Sequence, residues 1–341
     1  MDADPSGTAP HFAFILQPEF PLNALVLASD ALRIANQNSG AALFAWSFLT
    51  HDGEPVRASN GMWFAADGAV EGMQNPDVAL VFEGNRPTQT TAPSLLNALR
   101  AAARFGAIVG GVDTGAFALA QAGLVGEEPV VVHWEAAPAF TERFRGSEVR
   151  GQINLLGNTR GYSAGGVATL DLVLDLIERF HGAPLASEVA NALVHTRRPP
   201  SVAQRADAPP AARQGSLGQR MVALMERRLD FPLDLEGLAA ELNTSPRTLS
   251  RECRRTFGEP PMRLYLHIRL QAARNFLFYD ELSIKDVALA CGFSYPAVFS
   301  RAFKAEFGVT PQAFRTAFRK AQSPQLRPEI RRLIQGPERA R

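Results

Sequence analysis

The chain has 341 residues, which exceeds one average domain and suits two or three. Its hydrophobic content of 46% and charged content of 20% are ordinary for a soluble globular protein, and no apolar run approaches the length that crosses a membrane. The first residues lack the basic and apolar segments of a secretion signal, so the cytoplasm is the expected compartment.

The net charge of +1 conceals an uneven distribution. Residues 214–341 contain 21 Lys and Arg against 13 Asp and Glu, a balance of +8, whereas residues 1–213 contain 14 and 21, a balance of −7. A basic C-terminal part joined to an acidic N-terminal part is typical of a nucleic-acid reader linked to another module. Chance variation of surface charge is the alternative.

The N-terminal part alternates strand-like and helix-like segments after a small, polar start at residues 1–10, which we expect to be disordered. Short apolar runs predict buried strands, and runs with a period of 3.6 residues predict helices. The predicted strands are 11–16, 44–50, 77–84 and 107–113, and the predicted helices are 22–37, 92–106, 114–123 and 167–182. This alternation predicts an α/β domain over residues 11–195, with a parallel, flavodoxin-like sheet flanked by helices on both faces.

The C-terminal part is predicted to be helical. Residues 196–216 are rich in Pro, Ala and Arg and lack periodicity, which predicts a linker. Helical patterns fill residues 217–320 and predict an all-α domain. Residues 321–341 are basic, and we expect them to form a flexible tail.

The two cysteines, Cys253 and Cys291, occupy apolar positions of these helical patterns, which favours buried packing. Two cysteines make no disulfide framework, and their spacing is not that of metal ligands. We therefore expect neither a metal nor a cofactor.

The helical domain contains one helix-turn-helix pattern twice. At an offset of fifty, the repeated residues are Ser250-Arg251 and Ser300-Arg301, Phe257-Gly258 and Phe307-Gly308, and Pro261 and Pro311. Upstream, Ser245 recurs as Ser294 at an offset of forty-nine, so the second copy has one extra residue in its turn. Two such units can read two neighbouring segments of DNA.

The first unit spans residues 233–261. Asp234 and Ser245 are placed to cap its two helices, and Leu249 and Cys253 lie on the inner face of the second helix. The outer face carries arginines, which can bridge guanine O6 and N7 in the major groove. We therefore expect DNA contacts from Ser245, Arg247, Ser250, Arg251 and Arg254.

The second unit spans residues 282–311, with Ser283 as the cap of its first helix. The outer positions of its second helix, which we expect to face DNA, are Ser294, Tyr295, Pro296, Ser300 and Lys304. Because Pro296 lies among them, this unit is expected to contribute more positioning than base readout. Residues 261–280 predict one long helix that joins the units and sets their separation near one DNA turn, about 34 Å.

These two copies, joined by one helix and closed by Phe-Gly-x-x-Pro, resemble the AraC/XylS family of bacterial regulators over about residues 217–320. The first unit is richer in Arg than the family pattern. The resemblance implies double-stranded promoter DNA and RNA polymerase as partners. A helical bundle without DNA contact is the alternative.

Residues 107–124 (AIVGGVDTGAFALAQAGL) predict a strand, a tight turn and a helix. In hydrolases this arrangement exposes a nucleophile at the apex, beside helix N–H groups that bind anions. Here the apex residue is Asp113, and His133 follows twenty positions later, where a base can approach. Capping of the helix at Thr114 is the simpler alternative role for Asp113.

This turn resembles the PfpI-like, type 1 glutamine amidotransferase-like superfamily, whose members usually carry Cys at the apex, a His partner and an acidic residue on the first helix. By that resemblance the corresponding residues are Asp113 for the Cys, His133 for the His, Ala24 beside Asn23 for the acid, and Gly84-Asn85 for the oxyanion loop. Without the Cys thiol, we expect no thiol chemistry and no enzyme activity. Asp can act as a nucleophile, but no second acid or base here clearly supports that.

A PfpI-like domain followed by an AraC-type domain resembles the GlxA-like regulator family, and residues 160–182 match the stretch between the two. The resemblance covers nearly the whole chain and implies a homodimer that senses a small molecule. Regulators with Asp-Thr-Gly-Ala-Phe at the elbow include those of glycine betaine, carnitine and arginine catabolism.

A carboxylate at the elbow favours a cationic ligand, and aromatic faces can add cation–π attraction. Trp46 and Trp63 are further candidates for such faces, although both also fit a core role. The ligand site is expected to comprise Asp113, Thr114, His133, Trp134, Gly84 and Asn85, and to bind a small quaternary-ammonium or cationic amino-acid-like effector.

The expected function is that of a transcription regulator, an activator of catabolic genes. Two alternatives remain open: an amidase or hydrolase with an appended DNA-binding module, and a DNA-binding protein with a vestigial sensor that has no ligand.

Overall fold

A computed structural model describes residues 9–84, 87, 91–126, 128–204, 216–280 and 282–321. The chain forms two compact units, Met1–Met221 with Tyr279–Glu281, and Val222–Phe278 with Leu282–Arg341. The predicted disordered start and basic tail lie almost wholly outside the described residues and remain predictions.

The first unit is the predicted α/β domain. Its strands are β1 (His11–Leu16), β2 (Ala45–Thr50), β3 (Val56–Arg57), β4 (Trp63–Phe64), β5 (Gly68–Ala69), β6 (Val78–Glu83), β7 (Ile108–Asp113), β8 (Asn154–Leu156) and β9 (Arg160–Ser163). Its helices are α1 (Leu22–Ser39), α2 (Pro93–Arg104), α3 (Ala116–Gln121), α4 (Ala137–Arg143), α5 (Ala168–His181) and α6 (Ala183–Ala192). Every strand and helix predicted for this part is present, with ends that differ by no more than two residues.

The main sheet has the strand order β5-β2-β1-β6-β7-β9-β8, and the strand order reverses between β1 and β6, as in flavodoxin-like folds. Its strand pairs are parallel except for β8, which runs antiparallel to β9. The predicted parallel sheet is therefore confirmed, with one antiparallel strand at this edge. A short connection leads from β8 back to β9, and such a connection joins only antiparallel neighbours.

Both faces of the sheet are covered, as the apolar runs predicted. Phe12 and Phe14 of β1 belong to the core that the sheet shares with α1, α5 and α6. Ala13 and Ile15, which alternate with them and point to the other face, are also fully buried. Helices α2 and α3 pack against β7 and against each other.

Residues 196–204, the first part of the predicted linker, are attached to the first unit. The Arg198 guanidinium lies 2.7 Å from the carboxylate of Asp171, which is buried on α5. Glu178 lies on α5 about one helical turn beyond Asp175, and its carboxylate pairs with Arg197 at 2.6 Å. These contacts show that a free connection does not begin directly after residue 195.

The second unit is helical over its described residues, and the predicted all-α class is confirmed. The helices from residue 217 onward are α7 (Leu217–Arg227), α8 (Leu235–Glu241), α9 (Pro246–Phe257), α10 (Pro261–Tyr279), α11 (Ile284–Ala290), α12 (Pro296–Phe307) and α13 (Pro311–Ala321). The pairs α8–α9 and α11–α12 are the two predicted helix-turn-helix units, and α10 is the predicted joining helix. No helix in the described part of the chain is long and apolar enough to cross a lipid bilayer.

Both cysteines belong to the core of the second unit, as predicted. Cys253 of α9 and Cys291, which follows α11, are fully buried. Burial raises the pKa of the Cys253 thiol to about 11 and that of the Cys291 thiol to about 12. The two side chains therefore act as small apolar groups at neutral pH.

Candidate functional site

The turn between β7 and α3 has the geometry of a nucleophile elbow. Asp113, the last residue of β7, has a φ of 64°, in the left-handed region that few residues other than Gly, Asn and Asp adopt. Thr114 donates its N–H to the carbonyl of Glu83 at 3.1 Å and its hydroxyl to the carbonyl of Gly84. These bonds fasten the turn to the end of β6 and place Asp113 at the carboxyl edge of the sheet.

The start of α3 is pressed against the sheet, and glycine makes this possible. A Cβ on Gly115 would lie 2.2 Å from the carbonyl oxygen of Val81, a distance that no side chain tolerates. Gly115, which has no side chain, is also the N-cap of α3. Asp113 therefore does not occupy the N-cap position of this helix.

The Asp113 carboxyl lies against the turn between β9 and α5. A Cβ on Gly165 would stand 2.9 Å from Asp113 Oδ2, so this position also excludes a side chain. The Gly165 N–H donates to Ser163 Oγ at 3.1 Å, and Ser163 Oγ lies 3.1 Å from Thr169 Oγ1. A buried pair of hydroxyl groups therefore holds the backbone that contacts the carboxyl.

The acidic residue that the PfpI-like resemblance implied on the first helix is absent at the corresponding position, Ala24. Ala24 is apolar and fully buried. Its neighbour Asn23 is exposed, and its Nδ2 lies 3.7 Å from the position that a Cβ on Gly166 would take. An amide rather than a carboxylate therefore borders the turn that contacts Asp113.

The electrostatics of the elbow favour a neutral carboxyl. Burial, with a further contribution from the negative charge of Glu135, raises the pKa of Asp113 to about 8. A neutral carboxyl can donate a hydrogen bond, whereas a nearby cation would lower its pKa and restore the carboxylate. Over the described residues, no three His, Cys, Asp or Glu side chains are grouped so that they hold a metal ion.

His133 and Trp134 follow each other in a loop beside the elbow. The His133 N–H donates to the Asp113 carbonyl at 2.9 Å, so the two residues that sequence analysis paired are neighbours, joined through the backbone. Burial lowers the pKa of His133, against the opposing effect of Glu135, whose carboxylate lies 4.0 Å from Nδ1. The His133 and Trp134 rings are 5.8 Å apart between centroids.

The other predicted ligand residues have different positions. The Gly84 carbonyl holds Thr114, as described above, and a Cβ at Gly84 would lie 2.0 Å from the Glu19 carbonyl. Asn85 lies outside the described residues, so its role remains a prediction. Trp46 packs against the core, in agreement with the core role given above as an alternative. The Trp63 side chain on β4 is 38% exposed.

A row of polar side chains at the carboxyl edge of the sheet was not predicted from the sequence. Glu83 is the register partner of Asp113, and Gln17 directly follows Leu16, the register partner of Phe82. Gln17 and Glu83 are fully buried, and the Gln17 amide oxygen and nitrogen have no hydrogen-bond partner among the described residues. The row crosses the β1–β6 switch point, where ligands bind in open α/β sheets. A polar residue ending each apolar run was the available signal.

The first helix-turn-helix unit has the predicted construction. Asp234 Oδ1 accepts the Gly237 N–H at 2.8 Å at the start of α8, and Ser245 Oγ accepts the Thr248 N–H at 3.1 Å at the start of α9. On α9, Leu249 is fully buried on the inner face together with Cys253. Exposed residues of the predicted outer face are Ser245, Arg247, Arg251 and Arg254, and Ser250 is half-buried.

The second helix-turn-helix unit repeats this construction with one difference. Ser283 Oγ accepts the Asp286 N–H at 3.1 Å and caps α11, as predicted. Helix α12 has Tyr295 as its N-cap without a side-chain hydrogen bond, so Ser294 does not repeat the capping role of Ser245. Phe299 is fully buried on the inner face. The predicted outer residues Ser294, Tyr295, Pro296 and Lys304 are exposed, and Ser300 is half-buried.

Arg301 also belongs to this outer face, although the predicted DNA contacts did not include it. It is exposed on α12 at the position that Arg251 occupies on α9. The repeat itself supplied the signal, since Ser300-Arg301 was one of its matching pairs.

The comparisons with known proteins agree with both units. Residues 238–317 match the helix-turn-helix domain family. The chain is 38% identical over 304 residues to the HTH-type transcriptional regulator CdhR of Pseudomonas aeruginosa, covering 88% of this chain and 90% of that protein. It is 34% identical over 316 residues to the HTH-type transcriptional regulator GlxA of Rhizobium meliloti, covering 91% and 97%.

A solved structure of an AraC family transcriptional regulator from Pseudomonas putida is also similar, with a TM-score of 0.51 and 27% identity over 54% of this chain and 99% of that chain. The two-unit fold and the near full-length relatives define a DNA-binding transcription regulator. The chain belongs to the family of HTH-type transcriptional regulators that includes GlxA. The predicted resemblance is thereby confirmed, and a regulator is favoured over the amidase alternative.

Proposed function

We propose that the first unit binds a small cationic metabolite and that this binding lets the second unit activate catabolic genes at a promoter. The observation that carries the proposal is the Asp113 carboxyl at the apex of the elbow, whose pKa burial raises to about 8. A cation bound there regains a charge pair inside a poorly solvated site, which favours quaternary-ammonium or arginine-like ligands over anions. The His133 and Trp134 rings belong to the loop whose His133 N–H bonds to the Asp113 carbonyl, and they supply aromatic faces for the cation.

The mechanism we propose is linkage between two binding equilibria. A ligand that prefers one arrangement of a homodimer shifts the DNA-competent population by its difference in affinity for the two arrangements. The regulator then acts in the cytoplasm on double-stranded DNA together with RNA polymerase. A dimer brings four helix-turn-helix units, which predicts an operator made of paired half-sites.

Titration calorimetry with glycine betaine, carnitine and arginine tests the ligand class. We expect binding of at least one of them, and affinity that rises with pH up to about 8, by as much as about tenfold per pH unit, because the cation favours the ionised Asp113. Glycine betaine is the best probe, since its quaternary nitrogen does not titrate. Absence of heat from all three with folded protein would exclude this ligand class and leave a vestigial sensor as the better description.

The DNA-contacting role of α9 is tested with Arg251→Ala. Loss of an Arg that bridges a guanine is expected to weaken binding by about 1–3 kcal/mol, roughly 5- to 150-fold. The DNA is a fragment selected for tight binding from a random library, and the measurement is fluorescence anisotropy at several salt concentrations.

Arg255→Ala is the matched control for this measurement. Arg255 lies on the same helix but pairs with Glu252 at 2.6 Å. We expect its replacement to change affinity much less than Arg251→Ala. Equal losses from the two variants would contradict a specific contact by Arg251 and indicate a general effect of charge.

A further inference from the structure

The chain returns to the first unit immediately before the connection to the second. The Ile153 N–H donates to the Val202 carbonyl at 2.9 Å, and the Gln204 N–H donates to the Gly151 carbonyl at 3.0 Å. Between them, Gln152 and Ala203 form an antiparallel bridge. Residues 202–204 therefore lie as an extended segment along residues 151–153.

Gln204 extends this contact to the loop that carries His133. Its Nε2 donates to the Val132 carbonyl at 2.9 Å and to the Gln152 carbonyl at 2.9 Å. Its Oε1 accepts the Trp134 N–H at 2.8 Å. The Gln204 side-chain amide thus uses both of its donor hydrogens and its acceptor oxygen. Two of these three bonds hold the residues on either side of His133.

The loop is consequently fixed from two directions. Gln204 holds Val132 and Trp134, and the elbow holds His133 through the Asp113 carbonyl. Three consecutive residues of this loop thus depend on the Gln204 side chain and on one backbone bond from the elbow. Loss of the Gln204 amide would leave the Val132 carbonyl and the Trp134 N–H without these partners.

We propose that Gln204 is a positioning residue of the effector site and couples occupancy of that site to the connection that leads to the DNA-binding unit. The coupling rests on the proposed function, whereas the positioning does not. Displacement of the loop by a ligand strains the Gln204 bonds, and release of Gln204 loosens the loop around the ligand. By thermodynamic linkage, the factor by which attachment of residues 202–204 changes ligand affinity equals the factor by which the ligand changes that attachment.

Hydrogen exchange of the Trp134 amide tests the positioning without any ligand. Gln204→Ala is expected to increase that exchange rate at least about tenfold, because the N–H loses its acceptor. An NMR titration of His133 is the second readout: its pKa, which burial lowers, is expected to rise toward its ordinary value as the loop loosens. Unchanged exchange at Trp134 together with an unchanged His133 titration would overturn the proposal.

Two further variants keep the test specific. Gln152→Ala is the matched control, because the Gln152 side chain donates to the Asn154 carbonyl and its backbone carbonyl remains available to Gln204. It is expected to leave Trp134 exchange and the His133 pKa unchanged. Gln204→Glu retains an acceptor for Trp134 and loses both donors, so it is expected to give an intermediate exchange rate; a rate equal to that of Gln204→Ala would argue against the hydrogen bond as the cause.

The coupling is measured with glycine betaine on the full-length protein. In the wild type, glycine betaine is expected to change DNA affinity by about 5- to 150-fold. In Gln204→Ala this ratio is expected to fall toward one while DNA affinity without ligand is retained. An unchanged ratio, with betaine binding demonstrated, would overturn the coupling. If no metabolite binds the wild type, the proposed function fails, and Trp134 exchange still decides the positioning role.

Discussion

Asp113→Asn is expected to stabilise the first unit, and the gain is expected to grow with pH. The pKa of Asp113 is raised from 3.8 to about 8 in the folded protein. Between these values the unfolded chain ionises the carboxyl and the folded chain does not, so the wild type loses stability as pH rises from about 4 to about 8. Asn cannot ionise, has nearly the same size and also tolerates a positive φ.

The pKa shift sets an upper limit of roughly 6 kcal/mol on this difference, and partial exposure of Asp113 reduces the expectation to about 2–4 kcal/mol. Urea unfolding at pH 5 and pH 8.5 measures it, followed by fluorescence of the three tryptophans, all of which lie in the first unit.

Asp30→Asn is the control for this series, because Asp30 forms a surface ion pair with Arg33. Its replacement is expected to change stability by only a few tenths of a kcal/mol at both pH values. If Asp113→Asn shows the same small difference from wild type at pH 5 and pH 8.5, the carboxyl is ionised in the folded protein and the elbow is not as described. The same variant is expected to bind cations more weakly, so stability and ligand recognition oppose each other at this residue.

Gly115→Ala is expected to destabilise the first unit by about 3–5 kcal/mol. The added Cβ would lie 2.2 Å from the Val81 carbonyl oxygen and 2.8 Å from the Val112 nitrogen. Both neighbours are main-chain atoms in the centre of the sheet, so they cannot move aside. Because Gly115 has helical angles, φ −55° and ψ −19°, the effect comes from this contact and not from backbone strain.

Thermal unfolding followed by tryptophan fluorescence measures this effect. For a domain of this size, the expected loss corresponds to a Tm lower by about 10 °C. Gly72→Ala is the matched control, because a Cβ there meets nothing within 4 Å, and its Tm is expected to stay near that of the wild type. A wild-type Tm for Gly115→Ala would contradict the close approach of α3 to the sheet.

Local patterns were sufficient to predict most of the first unit. The apolar run at residues 11–16 is β1, and glycines at 106 and 123 follow α2 and α3, as their conformational freedom predicts. The antiparallel strand β8 was not predicted, because its three residues, Asn154–Leu156, are too few to show an alternating pattern. The two-residue strands β3 and β4 were missed for the same reason.

The candidate site was likewise predicted only where its residues belong to a local sequence pattern. Asp113 and His133 were found because a strand, a tight turn and a helix have a recognisable local sequence. The contacts of Gly165 and Gln204 join residues between 52 and 72 positions apart, and such pairs leave no mark on neighbouring residues. The docking of residues 202–204 was missed because Pro, Ala and Arg around them resemble a free linker in composition.

The chemistry of the two thiols has a consequence for the kinds of signal this regulator receives. Peroxide and disulfide exchange act on thiolates, and a thiol with a pKa of about 11 or 12 is ionised only about once in ten thousand molecules or fewer at pH 7. At the elbow, where similar turns usually carry a Cys, a carboxyl resists these oxidants. We therefore do not expect peroxide or disulfide exchange to act on this protein through Cys253 or Cys291.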